Sequence, residues 1–184
     1  MKRHRNTMTI FYLCIVKNSK PYNDLGDFLR DLFPYKVQKI SLNAGFTCPN
    51  RDGSKGWGGC TYCNTDSFTP ELSRKLPSIT EQVLQGIERA KKAYKAERFI
   101  IYFQPNTNTY GTVEYLKKCY DEALAVAPDV IVGLSVGTRP DCLDAEKVAL
   151  LESYCDRWNV DVEMGMESIY DITLQQIGRA SCRE

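Results

Sequence analysis

Three cysteines stand out for chemistry in this sequence: Cys48, Cys60 and Cys63. Eleven residues separate the first two, and two residues separate Cys60 from Cys63. Three thiolates in one loop can hold three irons of a [4Fe-4S] cluster. The fourth iron is then left open to a chelating ligand. Iron–sulfur potentials reach down to about −700 mV and respond to charge and hydrogen bonding at sulfur. The same three residues also admit a zinc site, which normally takes four ligands from paired Cys or His. The sole histidine, His4, lies far off near the N-terminus, so an isolated cysteine would have to complete such a site. A third reading is three unrelated buried thiols.

The loop chemistry suits a bulky group. Gly53, Gly56, Gly58 and Gly59 let the backbone wrap closely. The remaining cysteines, Cys14, Cys119, Cys142, Cys155 and Cys182, are scattered and read as small packing residues. Eight cysteines in 184 residues fall short of a disulfide scaffold, so the tight cluster reads as a metal site.

The elements that position this loop alternate. Leu25, Phe28, Leu29, Leu32 and Phe33 have helical spacing, closed by Pro34. Residues 37–42 read as a strand, and a Gly-containing stretch runs from Asn43 to Pro77. Ser78 and Glu81 form a capping box ahead of a helix whose apolar face carries Val83, Leu84, Ile87 and Tyr94. Strands follow at 98–104, 130–136 and 158–166. Between them lie helices marked by Val113, Leu116 and Tyr120, and by Val148 and Leu151 behind an Asp144 cap. Ile169 to Ile177 begins a last helix. Strands apolar on both faces and separated by single helices predict a parallel α/β sheet. The expectation is a partial (β/α) barrel, truncated after about four βα units. Residues 1–20 read as an N-terminal extension and 21–177 as an incomplete core. Residues 178–184 drop the pattern and read as a non-native or disordered end. A net charge of +1 gives no global field toward nucleic acid or membrane. No apolar run nears the roughly 18 residues that span a bilayer, so a cytoplasmic protein without membrane partners is expected.

The run Phe46-Thr-Cys-Pro-Asn-Arg-Asp-Gly and the later Gly58-Gly-Cys-Thr-Tyr-Cys-Asn64 resemble the uncharacterised radical S-adenosylmethionine (SAM) family that includes bacterial YhcC and YtqA. Pro21-Tyr-Asn, Lys36-Val-Gln-Lys-Ile40, Tyr102-Phe-Gln and Thr107-Asn-Thr-Tyr110 are similar too. So are Gly133-Leu-Ser-Val-Gly-Thr-Arg-Pro-Asp-Cys142 and Val162-Glu-Met-Gly-Met-Glu-Ser168. The resemblance covers about residues 21 to 177. It implies a [4Fe-4S] cluster and S-adenosyl-L-methionine as cofactors, and reductive cleavage of SAM to a 5′-deoxyadenosyl radical that abstracts hydrogen from a substrate. It also implies a low-potential electron donor such as flavodoxin or ferredoxin. Where this chain has Glu167, the family more often has Gln. The Thr138-Arg-Pro-Asp141 run also resembles one in the Elongator catalytic subunit family of tRNA-modifying enzymes, which suggests an RNA substrate by analogy.

Parallel sheets bind ligands at the C-terminal ends of their strands. That rule, with the resemblance, selects Gln104, Thr107, Asn108, Ser135, Arg139, Glu163 and Glu167 as cofactor-binding candidates. Tyr62 is added as a platform for an adenine ring. Each has a plainer reading. The polar residues after Gln104 make turns, Arg139 is a loop arginine beside a helix start, and Glu163 pairs with a core lysine or arginine. A non-enzymatic zinc or iron–sulfur module that binds RNA or protein remains the alternative.

Overall fold

The computed structural model describes residues 21–22, 24–64 and 76–179. The expected extension at 1–20 lies outside them, as do Cys14 and Cys182. The chain divides into two compact units, Met1–Lys36 and Val37–Glu184. In the first, α1 spans Leu25–Leu32, and its Asp24 cap accepts the Asp27 N–H at 2.7 Å. Phe33 is extended, as the residue before a proline should be.

The second unit alternates strands and helices. These are β1 (Val37–Leu42), α2 (Ile79–Tyr94), β2 (Arg98–Phe103), α3 (Val113–Ala125), β3 (Ile131–Thr138), α4 (Ala145–Glu152), β4 (Asn159–Met164) and α5 (Asp171–Gln176). The four strands form one sheet in the order β1-β2-β3-β4, with every pair parallel. Parallel neighbours need a crossover, and α2, α3 and α4 supply the three. The capping box at Ser78 and Glu81 starts α2, and Asp144 caps α4. β3 runs two residues past its expected end, to Thr138.

One face of the sheet makes the core. Ile40, Leu42, Phe99, Ile101, Phe103, Leu134 and Val136 are buried in a single cluster with Val83, Ile87, Leu116 and Tyr120 of the helices. The Phe103 and Tyr120 rings lie 5.1 Å apart. The buried Tyr120 hydroxyl donates to the Asn108 carbonyl at 2.6 Å, so its polar end is satisfied. Gly86 brings α2 close to β1: a Cβ there would lie 2.2 Å from Ile40 Cγ2.

Two expectations are corrected. Leu84 and Tyr94 are exposed, and the buried face of α2 is Val83, Ile87 and Ala90. The i, i+4, i+7 stripe was present, but the two flanking apolar residues do not belong to it. The strands are also not apolar on both faces. Lys39, Tyr102, Ser135, Asp161 and Glu163 occupy the face away from the helices, where Lys39 Nζ meets Glu163 Oε1 at 2.5 Å and Ser135 Oγ at 3.0 Å. Among the described residues, no helix is long and apolar enough to cross a membrane.

Candidate functional site

The C-terminal ends of all four strands open on one cavity of about 540 Å3. The loop after β1 brings Cys48, Cys60 and Cys63 to its wall. The end of β2 brings Gln104 and Thr107, β3 brings Arg139, and β4 brings Glu163 and Glu167. Tyr62 also lines it, half-exposed. Thus nine of the eleven candidates meet at one place.

The cysteine loop is shaped largely by its own backbone. The Arg51 N–H donates to the Cys48 carbonyl at 2.8 Å, Gly59 N–H to the Asn50 carbonyl at 2.8 Å, and Cys63 N–H to the Cys60 carbonyl at 2.9 Å. Gly59 sits at φ +87°, and a Cβ there would press to 2.9 Å on the Arg51 guanidinium. Only glycine meets both demands. Arg51 in turn donates to the Cys63 carbonyl at 3.0 Å and toward its sulfur at 3.6 Å.

Each thiol faces an N–H donor. Asn50 Nδ2 stands 3.2 Å from Cys60 Sγ, and Arg139 Nη1 stands 3.4 Å from Cys48 Sγ. Burial pushes the Cys48 thiol up, but the Thr107 hydroxyl, the Asn50 N–H and the Arg139 guanidinium outweigh it. The net shift is below the ordinary thiol value. Cys142 shows the opposite case: burial, with Asp141 nearby, pushes it up to about 11.

Two candidates do not reach the cavity wall. Asn108 is fully buried, and its Nδ2 donates to the carbonyls of Phe103 and Gly137, both at 2.9 Å. It ties the loop after β2 to β3. Ser135 is buried too, beneath Glu163 and Lys39. Glu163 lines the cavity but is held by Lys39 and by the Tyr102 hydroxyl at 2.5 Å. Burial raises its pKa, and the hydrogen bonds and charge of these partners bring it below the usual carboxylate range. Arg139 is not an exposed loop arginine; it is 5% exposed and paired with Asp141. Glu167 pairs with Arg179 at 3.0 Å. Of the end at 178–184, expected to be non-native or disordered, Gly178 and Arg179 pack against the cysteine loop and the segment after β4. The Gly178 carbonyl accepts from Asn50 at 2.7 Å and Arg179 is buried. Residues 180–184 lie outside the described ones.

Sequence reasoning passed over Asn50 and Arg51, although both sit beside Cys48 in the quoted motif. Asn106 stands in the polar segment after Gln104 but outside the candidate set. Asn106 has φ +64°, donates to the Phe46 carbonyl at 2.9 Å, and leaves its buried Oδ1 without a hydrogen-bond partner. Such an acceptor at the cavity wall suits a ligand N–H.

No family model matches the chain. It is 41% identical over 161 residues to Protein YhcC of Escherichia coli (strain K12), covering 87% of this chain and 50% of that one. YhcC and YtqA are its relatives. The uncharacterized protein YtqA of Bacillus subtilis (strain 168) is 36% identical over 161 residues, covering 88% of this chain and 49% of YtqA. The uncharacterized protein MJ0486 of Methanocaldococcus jannaschii is 34% identical over 165 residues, with 84% and 47% covered. The chain therefore spans about half the length of the curated relatives it matches. Among solved structures, the archaeal Methanocaldococcus infernus Elp3 with an N-terminus deletion superposes with a TM-score of 0.52 at 18% identity. The match covers 80% of this chain and 33% of that one. At that identity the likeness shows the fold alone, a partial (β/α) barrel with four parallel strands among the described residues.

Proposed function

We propose that this chain carries the cofactor-holding part of a radical SAM enzyme, with Cys48, Cys60 and Cys63 as ligands to a [4Fe-4S] cluster. One observation carries the reading: three thiols line a strand-end cavity, and each has an N–H donor within 3.6 Å of its sulfur. A single ion needs donors converging on one point. Among the described residues, no three Cys, His, Asp or Glu side chains are grouped to hold one ion. Thiols around a common cavity suit a larger inorganic group, and soft thiolates are the ligands such clusters take.

Held by Cys48, Cys60 and Cys63, such a cluster would supply the one-electron chemistry that cleaves the sulfonium C–S bond of SAM. The chain's own residues then have limited tasks. Asn106 Oδ1 offers an acceptor for a ligand amino group. Gln104, Thr107 and Glu167 provide further polar contacts at the wall, and the half-exposed Tyr62 offers a ring face at the rim. Glu163, paired with Lys39, keeps the floor polar. A flavodoxin- or ferredoxin-like protein would supply electrons, and an RNA substrate is the analogy-based choice.

The test is anaerobic reconstitution with iron and sulfide. The expected product has about four irons per chain and the absorption of a four-iron cluster, and SAM perturbs its electron paramagnetic resonance (EPR) spectrum. Turnover is assayed on a protein of the relatives' full length, where dithionite and SAM should yield 5′-deoxyadenosine and methionine. A full-length protein with an intact cluster that binds no SAM would refute the reading.

A further inference from the structure

We propose that Arg139 and Asn50 form one hydrogen-bonded clamp that fixes Cys48 and Cys60 and, with a cluster bound, raises its reduction potential. This rests on the cluster reading above. Arg139 is a positioning residue in this scheme, not an anion receptor. Its Nε and Nη2 make a two-pronged pair with the Asp141 carboxylate at 2.8 and 2.7 Å. The remaining nitrogen, Nη1, reaches Cys48 Sγ at 3.4 Å and Asn50 Oδ1 at 3.1 Å. Asn50 is 1% exposed and passes the chain on, its Nδ2 donating to Cys60 Sγ at 3.2 Å. Carboxylate, guanidinium, amide and two sulfurs thus form a continuous path. It anchors the cysteine loop to the end of β3.

The charges support the same assignment. Arg139 and Asp141 have side chains 6% and 2% exposed, and Lys55 adds a second cation at 3.1 Å from Asp141. Two cations face one carboxylate, which leaves a single positive charge over. The Arg139 Nη1 that Asp141 does not engage is directed at Cys48 Sγ and Asn50 Oδ1. A guanidinium committed in this way has no free fork for a substrate anion.

Hydrogen bonds to ligand sulfur are among the determinants of cluster potential. Reduction adds one electron, drawn from dithionite in the measurement, with no bond made or broken. The added negative charge strengthens each N–H donor's hold, so removing a donor makes reduction harder. The experiment is EPR-monitored potentiometry of the reconstituted protein. Two variants are compared with wild type: the double variant Arg139→Gln with Asp141→Asn, which leaves no orphaned carboxylate, and Asn50→Leu, which is uncharged and removes the donor to Cys60. Both should show a more negative potential. The reduced-to-oxidised ratio at a fixed potential should fall about tenfold, equivalent to about 59 mV for one electron. Lys117→Ala, on the far surface of α3, should leave it unchanged. If circular dichroism shows the double variant unfolded, Asn50→Leu alone decides. A wild-type cluster with unmoved potentials in the folded variants overturns this inference alone. A wild-type chain that takes up no cluster overturns the functional reading and this inference together.

Discussion

The mouth of the sheet and its helix-covered face treat the same side chain in opposite ways. On α3, Cys119 is buried among Leu116, Tyr120 and Ala123 in the apolar cluster, and burial raises its pKa. At the mouth, Cys48, Cys60 and Cys63 are only half-buried and each faces a nitrogen donor. A thiol in the first setting stays protonated and acts as a small hydrophobe. In the second setting Cys48, beside Thr107, Asn50 and Arg139, has its pKa lowered despite burial. The fold therefore separates the two: apolar packing lies on the helix side, and the half-buried thiols and polar groups gather at the strand ends.

That separation can be broken at several strengths. Replacing Cys48, Cys60 or Cys63 by Ala should reduce reconstituted iron to background, whereas Cys119→Ala should retain the wild-type content; equal loss from Cys119→Ala would erase the distinction. Phe103→Ala, on the buried side, should cost about 3–5 kcal/mol of unfolding free energy in a urea melt. Cys60→Ala should cost less than about 1 kcal/mol in the same melt. Tyr120→Phe keeps the ring and removes the donor to Asn108, a loss of about 1 kcal/mol. The gentlest probe is pH. Burial would raise Asp141, but Arg139 and Lys55 hold it at about 2, below the roughly 3.9 of an unfolded aspartate. Its contribution is therefore present above about pH 4 and is lost as pH falls toward 2. Melting temperatures from pH 6 to 2 should show a smaller acid decline in Asp141→Asn than in wild type.

The alternation of elements was legible because apolar runs and caps are local signals. Ser78, Glu81 and Asp144 announce helix starts within four residues, and the apolar runs of β2 and β3 need no partner to be recognised. The gathering of site residues followed from one topological rule about strand ends. What escaped was pairing at a distance. Lys39 and Glu163 are 124 residues apart, and nothing near either one names the other. Arg139 was legible as a charged residue at the right edge, but its partner Cys48 lies 91 residues away. Asn108 and Ser135 were chosen for polarity at the right position, while their hydrogen bonds serve the scaffold. Leu84 and Tyr94 show the converse: apolar character alone does not decide which side of a helix turns inward.

The cross-strand group of Lys39, Tyr102, Ser135 and Glu163 bears on how the chain finds its alignment. In a sheet with helices on one side, sliding any strand by a single residue exchanges its two faces. For β1 such a slip would turn Lys39 in toward the side of Val83 and Ile87, and for β4 it would do the same to Glu163. An ammonium or carboxylate placed there without its partner is far more costly than a misplaced valine. The polar rung thus acts as an error check on strand alignment, penalising pairings that are out of register.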